Sequence, residues 1–93
     1  GGEVHPLMRI LFVDDDATLL GSLRRYVERI RPGWEAEFVE TGATALARMN
    51  YAPFDVLVSD LDMPQMGGAE VLRRVRERHP RTICSRFSPG SRS

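Results

Sequence analysis

Two groups of acidic residues each stand at the end of an apolar run. Asp14-Asp15-Asp16 follows Arg9-Ile10-Leu11-Phe12-Val13, and Asp60-Leu61-Asp62-Met63-Pro64 follows Phe54-Asp55-Val56-Leu57-Val58-Ser59. A short apolar run that ends in carboxylates reads as a buried strand delivering acids to the rim of a sheet. Carboxylates gathered there repel one another, and a hard divalent cation relieves the repulsion. Oxygen-only ligands point to Mg²⁺ or Mn²⁺. The residue types alone therefore describe a metal-assisted phosphoryl site on a small α/β domain.

The rest of the chain supplies elements to position these acids. Asp16 is a good N-cap for a helix whose apolar face is Leu19, Leu20, Leu23, Val27 and Ile30, and Pro32-Gly33 stops it. Trp34 to Glu40 alternates through Trp34, Ala36 and Phe38 and reads as a strand. Thr41 caps a short helix carrying Ala45, Leu46 and Met49, which Asn50 to Pro53 breaks. Phe54 to Ser59 is the third strand. Pro64 to Gly68 has turn composition, Ala69 to Arg78 is a helix burying Val71, Leu72 and Val75, and Arg81 to Cys84 opens a fourth strand. The order β-α-β-α-β-α-β predicts right-handed crossovers and a parallel sheet with helices on both faces. Ligands bind such sheets beyond the carboxyl ends of the strands, where the strand order reverses. If the first and third strands are neighbours, both acidic groups meet there.

Bulk properties narrow the class. Ninety-three residues make one small domain, 42% hydrophobic and 28% charged, with thirteen basic and thirteen acidic residues. That balance argues for neither nucleic acid nor a membrane surface. The lone cysteine, Cys84, excludes an internal disulfide framework and suits a reducing, cytoplasmic setting. No apolar run approaches the roughly 18 residues of a membrane span. Residues 1–7 precede Met8 and read as an expression scar. Arg73, Arg74, Arg76, Arg78 and Arg81 form a basic cluster, but Glu70 and Glu77 among them make it a solvated helix face. His79 reads as a solvated helix-end residue, and Trp34 as packing.

The two acidic segments together resemble the receiver domain of two-component response regulators. The likeness rests on Ile10-Leu11-Phe12-Val13-Asp14-Asp15-Asp16 and on Asp55-Val56-Leu57-Val58-Ser59-Asp60-Leu61-Asp62-Met63-Pro64-Gln65-Met66-Gly67-Gly68, and it covers Met8 to about Ile83. It implies a flavodoxin-like doubly wound α/β sheet, here incomplete, with about four strands and three helices and without the last strand and last helices. It implies that Asp60 is a phosphoacceptor served by a histidine kinase with Mg²⁺. Asp14 and Asp15 would be the acidic metal pair, with Asp15 the direct ligand and Asp14 acting through water. Asp62 would contribute its backbone carbonyl.

The resemblance also implies a Ser or Thr after the fourth strand and a Lys after the fifth. With a strand that stops near Cys84, neither has a matching position. The expected organisation is a truncated receiver over 8–84 and a non-native tail over 85–93. Codons allowed for Arg86 to Ser93, read one frame over, can spell an apolar fourth strand with its hydroxyl, so a frameshift near Cys84 is the expected origin. A C-terminal output domain would then be missing, and the uncovered sheet edge would favour self-association. A second resemblance competes. Val58-Ser59-Asp60-Leu61-Asp62 is similar to the Asp-x-Asp motif of haloacid-dehalogenase-like phosphatases, with Asp60 as nucleophile and Asp62 as acid/base. It leaves Asp14-Asp15 unexplained and meets Met63 where that family has Thr or Val.

Overall fold

Four parallel strands in the order β2-β1-β3-β4 form the sheet of the computed structural model, which describes residues 8–60 and 67–87. The strands are β1 (Arg9–Val13), β2 (Glu35–Val39), β3 (Val56–Asp60) and β4 (Ile83–Phe87). Between them lie α1 (Ala17–Ile30), α2 (Gly42–Tyr51) and α3 (Gly68–Arg78). The expected expression scar at 1–7, most of the expected tail at 85–93, and Asp62 to Met66 lie outside the described residues.

The strand order fixes the layers. The chain steps from β1 outward to β2, then reverses to β3 and continues to β4. With right-handed crossovers, that reversal puts α1 on one face and α2 and α3 on the other. Side chains alternate accordingly. Leu11, Val13 and Leu57 join Ala45, Met49, Val71, Leu72 and Val75 in the α2/α3 core, with Phe54. Ile10, Leu20 and Val27 are buried on the α1 side. There a row of apolar residues crosses the sheet in register, Ile10 to Val56 to Ile83. Ile10 is 3% exposed and Ile83 is 66% exposed, so cover is lost with distance from α1.

Local signals set most boundaries. Asp16 Oδ1 accepts from the backbone N–H of Thr18 (3.0 Å) and Leu19 (3.1 Å), which caps α1 as its sequence position requires. Thr41 Oγ1 does the same for α2 through the N–H of Thr44 (3.0 Å). Helix α2 runs through Asn50 to Tyr51, further than expected. The residue before a proline is what resists helix, and that residue, Ala52 before Pro53, is extended at φ −155° and ψ 109°.

Three other expectations shift. Ile30, the last residue of α1, is 42% exposed rather than part of its buried face. Phe54 is buried but precedes β3. Strand β4 runs through Ser85 and Arg86 to Phe87, where coil was expected. Its pairing partners on β3, Val58, Ser59 and Asp60, hold it in register whatever its composition.

Arg9 ties the amino ends of the strands together. Its guanidinium lies 4.2 Å from the centre of the Phe54 ring and donates to the carbonyls of Ala52 (3.2 Å) and Pro53 (2.7 Å). It also pairs with Glu35 (3.5 Å) and Glu37 (3.8 Å) of β2. Arg48 of α2 holds Glu37 from the other side, its Nε donating to Glu37 Oε1 at 2.8 Å.

Leu57 is fully buried at the centre of the α2/α3 core. Leu57→Ala is expected to cost about 2–5 kcal/mol, a large share of a small domain's stability. Tyr51→Ala, at an 86% exposed position, is expected to change stability by less than about 0.5 kcal/mol. Urea denaturation followed by far-UV circular dichroism compares the two.

Candidate functional site

The carboxyl ends of β1 and β3 meet where the strand order reverses. Val13 is in register with Ser59, so Asp14 and Asp60 follow at matching positions on adjacent strands, whose axes lie roughly 4.8 Å apart. Asp14 is also tied to β2, since its backbone N–H donates to the carbonyl of Val39 at 3.1 Å. The described ends of both acidic segments, Asp14 and Asp60, thus lie at adjacent strand ends, through pairing between segments more than forty residues apart.

The described acids of the first group have different surroundings. Asp14 is only 2% exposed, and its Oδ1 accepts from the N–H of Asp16 at 2.8 Å, which turns the chain out of β1. Asp15 is exposed between them. Asp16 is committed to capping α1. One acid is therefore held rigidly, one faces solvent and one is structural, which divides the Asp-Asp-Asp run by role. Asp60 is described by its backbone, as the last residue of β3 opposite Phe87 of β4. Asp62 lies outside the described residues. Among the described residues, no three Asp, Glu, His or Cys side chains gather as a metal site. The donors that are described, one buried and one exposed carboxylate at a strand end, suit a hard oxygen-seeking cation.

Gly67 is the N-cap of α3. Its carbonyl accepts from the N–H of Glu70 (3.0 Å) and Val71 (3.1 Å). Other described side chains bear on several sequence readings. Arg73 bonds Glu70 (2.6 Å) and Glu77 (2.8 Å), and Arg74 bonds Glu70 (2.7 Å), so these arginines are engaged within their own helix. His79 caps α3, and its Nε2 is 3.1 Å from Asn50 Oδ1 of α2. Cys84 is half-buried, and burial pushes its thiol up despite the nearby Arg76. That disfavours the nucleophilic thiolate.

The extent of β4 was the feature that sequence composition hid. Phe87 lies opposite Asp60, and Ser88 is the next residue in the chain. Ser88 itself lies outside the described residues.

The family model of the response regulator receiver domain matches residues 10–89. The chain belongs to the response regulator receiver family. This receiver chain is 37% identical over 70 residues to the transcriptional regulatory protein TrcR of Mycobacterium tuberculosis, covering 75% of this chain and 26% of TrcR. It is similar in structure to a CheY-like receiver domain protein of Methanospirillum hungatei, with a TM-score of 0.84 and 31% identity over 95% of this chain and 68% of that one. The chemotaxis response regulator CheY4 of Vibrio cholerae gives a TM-score of 0.77 and 30% identity over 87% of this chain and 68% of CheY4. The first curated relatives are matched over only 26% to 33% of their own length. The four parallel strands and three described helices are thus those of a CheY-like receiver, and the phosphatase reading of Asp60 and Asp62 finds no support in these matches. No described helix is long and apolar enough to cross a membrane.

The hydrogen bonds from Arg73 and then Arg74 hold the Glu70 carboxyl down at about 2, from an ordinary 4.5. A lowered folded-state value means that these ion pairs stabilise the fold fully above pH 4.5 and lose that contribution as pH falls through 2. Carboxyl carbon NMR is expected to show Glu70 titrating near 2, and Arg73→Gln is expected to raise it.

Proposed function

We propose that Asp60 of this receiver accepts a phosphoryl group from a histidine kinase. The observation that carries this reading is the register of β1 with β3, which brings the end of the Asp60 strand beside Asp14 and Asp15. A carboxylate with an ordinary pKa near ~3.9 is already an anion at neutral pH and needs no general base. Its oxygen attacks the phosphorus of a phosphohistidine in line. The O–P bond forms, the P–N bond breaks, and the imidazole leaves and takes up a proton. Asp14, Asp15, the Asp60 carboxylate and the Asp62 carbonyl are the groups that would hold Mg²⁺ or Mn²⁺, with Asp15 as direct ligand and Asp14 through water. When bound, the cation neutralises charge on the transferring group. Ser88, which follows Phe87 in the sequence, is the hydroxyl we assign to the phosphoryl group.

In this reading the chain is a signalling module, not an enzyme acting on a separate substrate. The added charge, about −1.5 to −2, biases a two-state element that an output region reads. Cytoplasmic placement follows from a kinase partner of that kind. We also infer self-association through β4, the last strand of the described sheet, supported by the exposed Ile83 on its α1-side face.

Incubation with a small acyl phosphate and Mg²⁺, read by intact mass, is expected to add one phosphoryl group to the wild type and none to Asp60→Asn. Asp15→Asn is expected to weaken Mg²⁺ binding on the order of 10-fold or more. No adduct and no Mg²⁺ binding in the wild type would overturn the assignment. Sedimentation velocity is expected to show concentration-dependent association that Ile83→Lys reduces; a monomer at all concentrations would remove the β4 contact.

A further inference from the structure

A groove of about 290 Å³ runs between α1 and the edge strand β2, lined by Arg24, Val27, Arg31, Trp34, Ala36 and Phe38 among others. Its two arginines are unlike those elsewhere in the described chain that carry ion pairs. Arg9, Arg48, Arg73 and Arg74 all meet carboxylates. Among the described residues, neither Arg24 nor Arg31 does. The Arg24 guanidinium stands 4.7 Å over the Phe38 ring, and that of Arg31 stands 5.8 Å over Trp34. Arg stacks on aromatic faces and keeps its donor edge outward for a planar carboxylate. Glu28, which also lines the groove, pairs with neither.

The edge beside the groove has a defined hydrogen-bonding register. Glu35 N–H donates to Met8, and the carbonyl of Val39 accepts from Asp14. These odd-numbered residues of β2 therefore turn their backbone groups toward β1. By alternation, Ala36 and Phe38 turn their N–H and C=O groups outward. The same two residues put their side chains into the groove. The outward backbone groups of the edge thus adjoin the α1-side groove that carries two stacked guanidinium groups.

We infer that β2 and α1 form a docking site for an extended acidic segment of a partner protein, which adds as a strand beside Ala36 and Phe38 and places carboxylates on Arg24 and Arg31. Strand addition supplies main-chain bonds, and the alternate side chains of the added strand supply selectivity. Charge complementarity selects an acidic occupant, because Arg24 and Arg31 outnumber Glu28 at the groove.

The test uses the 93-residue chain and two probes, an acetylated and amidated (Glu-Val)4 peptide and its (Lys-Val)4 counterpart, followed by amide NMR. The Glu peptide is expected to shift and protect the amides of Ala36 and Phe38 and to bind at least tenfold more weakly to Arg24→Glu/Arg31→Glu. The milder pair Arg24→Gln/Arg31→Gln, with an unchanged spectrum elsewhere, guards against misfolding and is expected to weaken binding in the same direction. Four results would overturn the proposal: equal binding of the Lys peptide, binding indifferent to both double variants, shifts that spare Ala36 and Phe38, or no binding. Shifts of those amides on concentrating the protein alone would assign the edge to a second copy and would overturn it equally.

Discussion

Parallel pairing of β1 with β3 is the constraint on which the rest of this structure depends. The two strands are separated in sequence by a helix, a strand and a second helix, so their adjacency forces the chain to reverse direction across the sheet. The reversal puts α1 on one face and α2 and α3 on the other. It also leaves a crevice at the carboxyl ends of β1 and β3 that neither crossover covers. The register that buries Leu11 beside Leu57 is the one that puts Asp14 level with Asp60. Core packing and site geometry are thus set by one alignment, and a slip of one residue would turn the slipped strand's apolar side chains to the wrong face.

Charge is organised around the same frame. At the amino ends of the strands, Arg9 joins Glu35, Glu37 and the turn before β3, so a basic residue at a strand start acts as a clamp. At the carboxyl ends, the acids of the first group divide into a buried, a solvent-facing and a capping residue. The sheet therefore carries the Arg9 ion pairs at its amino end and the first group of aspartates at its carboxyl end. All thirteen basic residues of the chain are arginine. That suits the bidentate and stacked contacts seen at Arg48, Arg73, Arg24 and Arg31.

Much of this was legible in the residues. The helix starts at Asp16 and Thr41 were plain because a capping side chain bonds groups two or three positions away, a local event. The buried faces of α3 and of β1 followed from spacing alone. The site was legible as two acidic strand ends, and the receiver resemblance joined them. What was misread had non-local causes. Ile30 fits the apolar period of α1 but is exposed at the last residue of the helix. Ser85 and Arg86 look like coil, yet pairing with β3 makes them strand.

By itself the sequence determined the kinds of element, their order and the acids they carry, because periodicity, caps and turn residues act over a few positions. Tertiary structure decided which strands are neighbours, how far β4 runs and which arginines stack rather than pair. Those outcomes depend on backbone groups and rings brought together from segments far apart in the chain, and a linear pattern does not encode that distance.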